Sequence, residues 1–167
     1  MTGVDMRAVS VWNPWATLLA HGFKKNETRG YPAPASLLGE SIAICSTKTV
    51  KADQRNAWGE VPPAIKFEAL AAGLIKPASL MQGHLLGFAT VADCVETTPA
   101  FIEGLTARER ALGWYGPGRY AWLMSAFLPL SSPIPVRGAQ GIWRLPDDVY
   151  AQAQGQLEAR AREARPA

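Results

Sequence analysis

Between an apolar run and a proline-rich loop, residues 21–31 read HGFKKNETRGY. Three side chains in this stretch can do chemistry together. Glu27 stands two residues before Arg29 and three after Lys24, so one carboxylate lies within reach of two cations. Lys24 and Arg29 can hold a phosphate or carbonyl oxygen, the guanidinium by two parallel bonds. Glu27 can orient those cations or accept from the amino edge of a base. Lys24 and Glu27 are also the candidates for proton transfer, with Lys24 as acid or base. The same residues would equally make a solvated surface ion pair, which is worth little. Spacing alone admits both readings.

The elements on either side must decide where the cluster sits. RAVSVW (residues 7–12) alternates and is rich in valine, which predicts a first strand. NPWATLLAHG follows with helix punctuation: Asn13 suits the N-cap, Pro14 the first helical position and Gly22 the C′ position. After Gly22 the chain is expected to run extended. On a strand Glu27 and Arg29 share one face, joined by Lys25 if the strand starts that early. The direction of Lys24, nearer the turn, is not fixed by periodicity.

Further on, ESIAICS (residues 40–46) predicts a buried strand. Residues 47–58 and 62–73 read as helices split by Pro62 and Pro63, and residues 83–96 as a long strand with Gly87 a bulge position. TPAFIEGLTARERALGW predicts one or two short helices capped at Thr106. RYAWLMS and GIWRL read as late strands, and LPLSSPIPVRGAQ between them as an irregular, proline-rich segment. A last helix is expected from an Asp147 or Asp148 cap, running into a polar tail. Strands and short helices do not alternate regularly, which argues against a doubly wound parallel sheet. The expected fold is α+β, a small mixed or antiparallel β-barrel surrounded by short helices.

Four other stretches carry candidate ligand groups. In WNPW, Trp15 either covers the barrel end as core or offers its ring to a base. In CSTKTVK, Ser46 and Lys48 follow a strand end, where they can donate to phosphate oxygens or where Ser46 can simply cap the next helix. In GWYGPGRYAW, Arg119 either reaches an anion or stacks on Trp114 or Tyr115 to hold a loop. In VRGAQGIW, Arg137 and Gln140 flank a glycine that more plainly marks a turn or close approach.

The bulk numbers bound the rest. A chain of 167 residues, 48% hydrophobic and 19% charged, is expected to make one globular domain. A net charge of +3 permits an anionic partner without demanding one. The two histidines and two cysteines have no metal spacing, so no metal is expected; Cys45 and Cys94 read as free thiols. No phosphate-loop or serine-elbow motif occurs. The opening MTGVDMRAVSVW lacks the apolar core of a secretory leader, and no run is long enough to span a membrane, so a cytoplasmic protein is expected.

Together, four blocks resemble the ASCH (activating signal cointegrator homology) domain of the PUA-like superfamily. SVWNPWATLLAHGFKKNETRGYP resembles its opening block, in which Pro-Trp-Ala leads into Gly-x-Lys-x-x-Glu-x-Arg; here these are Pro14, Trp15, Ala16, Gly22, Lys24, Glu27 and Arg29. GESIAICSTK, GHLLGFATVADCV and GPGRYAWLMSAFLPLSSPIPVRGAQGIWRL resemble the strands that follow. The resemblance spans residues 7–146. It implies a PUA-like barrel over residues 1–146, with residues 147–167 a C-terminal helix and tail. It also implies a cleft lined by the opening block and, as partner, RNA (single-stranded) or a nucleoside- or nucleotide-like ligand, with no cofactor. Trp15, Lys24, Glu27, Arg29, Ser46, Lys48 and Arg119 become the candidate ligand residues. Some small ASCH-like proteins are similar to amidohydrolases acting on N4-acetylcytidine, whose motif carries Thr three residues after the Lys. Glu27 stands at that position, so no deacetylation is expected. Others look like single-strand ribonucleases, a chemistry that Lys24 with a hydroxyl such as Ser46 would serve. A protein-interaction module is the remaining alternative.

Overall fold

The computed structural model describes residues 3–49, 52–75 and 80–166. Its framework is one curled, mixed, six-stranded sheet, a half-barrel, flanked by six helices. In chain order these are β1 (Arg7–Val11), α1 (Trp15–Ala20), β2 (Asn26–Arg29), β3 (Ser41–Ser46), α2 (Ala52–Glu60), α3 (Pro63–Ala71), β4 (His84–Glu96), α4 (Pro99–Glu103), α5 (Ala107–Leu112), β5 (Tyr120–Pro135), β6 (Ile142–Arg144) and α6 (Asp147–Glu163). The strand order is β2-β5-β4-β3-β1-β6. Only the β1–β3 pair is parallel; the other four pairs are antiparallel.

The sheet is buried on both faces at its centre, and the alternation of β3 shows how. Ile42 and Ile44 join one apolar cluster with Val9, Val11, Leu19, Val91 and Trp122. Ala43 and Cys45 point the other way, into a cluster with Leu85, Phe88, Leu145 and, from α6, Val149. A third cluster, formed by Leu18, Val61, Ile65, Ala69 and Leu112, ties α1 to α3 and α5. These last contacts hold the helices over the mouth of the strand cluster described below.

Local chemistry explains most of the boundaries. Helix α1 begins one residue later than expected, with Pro14 in the cap position after a cis Asn13–Pro14 bond. Asn13 still does the capping work, accepting from the Thr17 N–H at 3.0 Å and its hydroxyl at 2.7 Å. Gly22 closes the helix at φ +69°, a conformation a side chain resists, and an added Cβ would also meet the Phe127 ring at 2.7 Å. Thr106 caps α5 as expected, its hydroxyl accepting from the Glu109 N–H at 3.1 Å.

Two expectations are corrected. Neither Asp147 nor Asp148 caps α6: the cap position is Pro146, and Asp147 instead accepts from Arg144 at 2.5 Å. The proline-rich segment is irregular only in part: residues 136–140 are, but residues 128–135 belong to β5 (Tyr120–Pro135), whose pairing with β4 shifts register there. Strand β2 pairs only with Tyr120–Leu123, so beyond that point β5 has a free edge where prolines cost no ladder bond. The β4–β5 register shifts at Gly87, whose Cβ would lie 2.6 Å from the Leu128 carbonyl oxygen. Both cysteines are free thiols, and burial pushes the Cys45 thiol up to about 12.

Candidate functional site

After Gly22 the chain bends through Phe23 and Lys24 before it runs extended as β2 from Asn26, and this turns Lys24 and Glu27 inward. Lys24 is 2% exposed and Glu27 7% exposed, so the cluster is no solvated face. Lys24 Nζ donates to the Asn26 carbonyl oxygen and lies 3.8 Å from Glu27 Oε2. On the same strand face Glu27 Oε1 lies 3.0 Å from Arg29 Nε. That N–H is not aimed at the carboxylate, and Arg29 Nε is a buried donor without a hydrogen bond. The other end of the guanidinium donates to the Ser10 carbonyl oxygen on β1 at 2.9 Å. Lys25, by contrast, stays outside the strand and the cluster, its ammonium 4.9 Å from the Phe127 ring centre.

A carboxylate from elsewhere in the chain holds this stretch in place. Glu109 of α5, 6% exposed, accepts from the backbone N–H groups of Lys25 and, at 3.2 Å, Asn26. Its second partner is the Tyr115 hydroxyl at 3.2 Å, which in turn accepts from the Asn26 side chain at 3.2 Å. Sequence reading missed Glu109, although Thr106-x-x-Glu109 has the spacing of a capping box. Only half of that box forms, and the freed carboxylate anchors β2 instead.

Electrostatics follow from the burial. Desolvation holds the Lys24 ammonium below its ordinary pKa, against the opposing pull of Glu27 and Glu109. Desolvation, ahead of the influence of Glu27 and Arg29, also lowers Arg119. Tyr115 is pushed up, chiefly by burial and then by the Glu109 charge.

These groups floor a cavity of about 970 Å³. Lys24, Glu27, Arg29, Trp15 and Arg119 all line it, so five of the candidate residues come together. Trp15 serves the core as well, packed between two apolar clusters and edge-on to Trp58 at 5.9 Å. Arg119 takes the loop-holding role foreseen for it. It stacks on the Trp114 ring at 4.1 Å and donates to the Trp114 and Thr28 carbonyls at 2.9 and 3.2 Å, while still facing the cavity. Trp114, 70% exposed at the rim, was not among the candidates. Thr28 turns its hydroxyl to the Trp114 N–H at 3.1 Å.

Ser46 and Lys48 lie elsewhere, in an adjoining groove of about 1130 Å³. Lys24 and Ser46 therefore do not face each other across one cavity. The Ser46 hydroxyl donates to the Met81 carbonyl at 2.5 Å and accepts from the His84 N–H at 3.1 Å. Among the described residues no group of His, Cys, Asp and Glu comes together to hold a metal ion, and no helix is long and apolar enough to cross a membrane.

By sequence, no family model and no curated protein matches the chain. Solved structures do match its fold. The ASCH protein of Zymomonas mobilis aligns over 93% of this chain and 94% of its own, with a TM-score of 0.50 and 17% identity. A serine-to-alanine variant of the same protein aligns over 93% and 98%, with a TM-score of 0.52 and 16% identity. A tyrosine-to-phenylalanine variant aligns over 90% and 97%, again with a TM-score of 0.52 and 16% identity. The chain thus has the ASCH-domain fold, of PUA-like architecture, as the resemblance implied.

Proposed function

We propose that the cavity binds one nucleoside or nucleotide unit of RNA, with Lys24, Glu27 and Arg29 reading its polar atoms. The observation that carries this reading is the Lys24–Glu27–Arg29 row lining the cavity, with Lys24 and Glu27 buried, Arg29 half-buried and Arg29 Nε without a hydrogen bond beyond its ion pair with Glu27. Burying two charges costs several kcal/mol of hydration per ion, on the order of magnitude expected for real proteins. A row of that kind on the floor of an open cavity, rather than inside a sealed core, fits ligand readout better than structure. Two cations beside one carboxylate offer donors to carbonyl or phosphate oxygens and an acceptor to an exocyclic amino group. Arg119 and the exposed Trp114 ring supply a flat face at the rim for stacking. The ASCH fold, whose architecture is that of a ligand- or nucleic-acid-binding domain, agrees with this reading.

Calorimetric titration with the four ribonucleoside monophosphates tests it. Wild type is expected to bind at least one of them, and Glu27→Gln to weaken that binding by roughly tenfold, the worth of one charged hydrogen bond at about 1.5 kcal/mol. Binding to none of the four, or Glu27→Gln binding as wild type does while remaining folded, would sink the reading.

One observation favours a second reading, hydrolysis of the bound unit. A lysine whose pKa is held down by burial gives up its proton more readily than an exposed one, as a general base must. Among the described residues no hydroxyl bonds to Lys24, so water rather than a side chain would be its nucleophile. Incubation with labelled single-stranded RNA and with N4-acetylcytidine separates the two readings. Binding without cleavage or acetate release is expected, and turnover abolished by Lys24→Ala would promote the hydrolase.

A further inference from the structure

The adjoining groove shares four lining residues with the inner cavity: Ser10, Trp12, Arg29 and Tyr31. The two spaces therefore meet along one wall, and Arg29 faces both. Their charge content differs sharply. The inner cavity mixes cations with Glu27, Asp53 and Glu60. The outer groove carries Arg29, Lys48 and Arg137, and no Asp or Glu among its lining residues. Neither Lys48 nor Arg137 makes an ion pair or hydrogen bond to any described residue. Elsewhere on the surface the described cations find partners readily, as Arg108 does with Glu68 at 2.5 Å and Arg144 with Asp147 at 2.5 Å.

A second observation is independent of charge. Among the described residues, two buried side-chain atoms lack a hydrogen bond: Arg29 Nε and Gln82 Oε1. Both residues line the outer groove. Arg29 Nε keeps its ion pair with Glu27, but neither atom has a hydrogen bond, and a ligand group that reached them would supply one. A third concerns aromatic surface. At the junction Trp12 and Tyr31 are 36% and 40% exposed, so aromatic side chains line the wall where the two spaces meet. The far wall is also built to be close: Ser10 Oγ donates to the Ala139 carbonyl at 3.0 Å, and a Cβ on Gly138 would sit 2.8 Å from the Ser10 Oγ.

We infer that the ligand is a single-stranded polynucleotide that continues from the inner cavity into the outer groove, where Lys48, Arg137 and Arg29 hold the phosphates of the adjoining nucleotides. The inference rests on the reading of the inner cavity as a nucleotide site and extends it. Phosphates need cations without competing carboxylates, which is the composition of the outer groove. A sugar hydroxyl can donate to Gln82, and a second base can stack at the Trp12–Tyr31 junction. A nucleoside polyphosphate shares the anionic chemistry but has no second base to use those rings. Each space alone has the size of a small-molecule site, so a single nucleotide fills one and leaves the other.

A length series tests this: ribonucleoside monophosphate, ribonucleoside triphosphate, and mixed-sequence di-, tri- and hexanucleotide RNA, titrated against wild type and a Lys48→Ala/Arg137→Ala double variant. In wild type, affinity is expected to rise about tenfold or more from monophosphate to trinucleotide, the worth of one further stacked base plus phosphate contacts. The double variant is expected to keep its thermal midpoint and to lose most of that rise. A hexanucleotide that binds no tighter than the monophosphate, or a double variant that keeps the full gain, overturns the strand path while leaving the inner nucleotide site intact. A triphosphate that matches the trinucleotide assigns the groove to a polyphosphate tail and overturns it too. Failure of every ligand, monophosphate included, brings down the inner-site reading with it.

Discussion

The two neighbouring spaces are built on opposite principles. Around the floor of the inner one the charges are buried or half-buried and mostly answered: Lys24 by Glu27 and the Asn26 carbonyl, and behind it Glu109 by two backbone N–H groups and Tyr115. In the outer one Lys48 and Arg137 stand on loop segments, exposed and unpaired among the described residues. The difference follows from hydration. An unanswered charge in a buried site costs several kcal/mol, whereas one at the surface stays hydrated. A buried recognition site must therefore be a network, fixed by residues that never touch the ligand. An exposed one can be a set of independent cations, each adding its share. Substitutions should separate the two kinds.

The largest effect is expected at Glu109, which touches no proposed ligand. Glu109→Ala strips the acceptor from two N–H groups and a hydroxyl at once, so a stability loss of about 3 kcal/mol is expected. For a chain of this size that is a fall of roughly 10 °C in Tm, at a few degrees per kcal/mol. Arg137→Ala should move stability by less than about 0.5 kcal/mol, as for ordinary surface positions. Calorimetric melts of both variants decide it. Comparable losses at the two positions would erase the distinction between network and independent cations.

Arg29 belongs to both spaces and comes next. It pairs with Glu27, reaches Ser10 on β1 and faces both the cavity and the groove. Arg29→Ala is expected to cost about 2 kcal/mol of binding, the worth of a charge-assisted hydrogen bond, for mononucleotide and oligonucleotide alike. A loss confined to the longer ligand would place Arg29 with the outer groove alone. Arg29→Lys keeps the charge but not the fork, and should recover less than half of the loss if the planar geometry is what matters.

How much of this was legible in the sequence differs between the two spaces for the same reason. Strand periodicity put Glu27 and Arg29 on one face, and turn chemistry placed Asn13, Gly22 and Thr106 close to their observed roles. Those are local rules, satisfied within a few residues. Glu109 was invisible because its partners lie 83 and 84 residues away, beyond the reach of any local rule. The inward turn of Lys24 was equally beyond periodicity: it sits before β2, where no repeat fixes direction. Ser46 and Lys48 were singled out for a helix N-terminus, yet Ser46 is the last residue of β3 and Lys48 lies in a bend beyond it, while residues 50–51 lie outside those described. They face the outer groove because β3 runs beside β1 and the 136–141 segment folds over the same strand end. The prolines of β5 misled because a proline is excluded by a paired neighbour, and strand pairing is a property of the sheet.

A smaller effect should appear in the pH dependence of stability. The folded state holds Lys24 below its ordinary pKa of 10.5, through desolvation. Between the folded and unfolded values the unfolded chain carries a proton that the folded chain lacks, so stability from this group rises with pH across that window and levels off above it. Tyr115 works in the opposite sense: raised by burial, it keeps its proton when the unfolded chain has lost it, and stability falls as pH passes the ordinary tyrosine range near 10. Urea melts of wild type and Lys24→Met at matched alkaline pH values isolate the lysine, since Tyr115 is common to both. The wild-type curve should climb relative to the variant as pH rises toward 10.5. Parallel curves would mean that Lys24 titrates normally, and the case for it as a proton carrier would go with them.

The smallest effect is the most specific to the outer groove. A net charge of +3 is too low for bulk attraction to hold a long duplex, so any salt dependence must come from a few placed cations. For single strands each neutralised phosphate contributes about −0.7 to the slope of log affinity against log salt. With Arg29, Lys48 and Arg137 each meeting one phosphate, a hexanucleotide should show a slope of roughly −2, three times that increment. A monophosphate confined to the inner cavity should show about −0.7, from its one phosphate. Arg137→Ala should flatten the hexanucleotide slope by about 0.7 and leave the monophosphate slope where it was. Trp114→Ala, by contrast, removes a stacking face worth about 1–3 kcal/mol per base and should weaken binding at every salt concentration without changing either slope. Fluorescence titrations at four or more salt concentrations resolve these differences. If Arg137→Ala lowers affinity but leaves the slope at its wild-type value, Arg137 is not releasing counterions from a phosphate. The groove would then be a polar surface for some other part of the ligand, and its contrast with the inner cavity would rest on exposure alone.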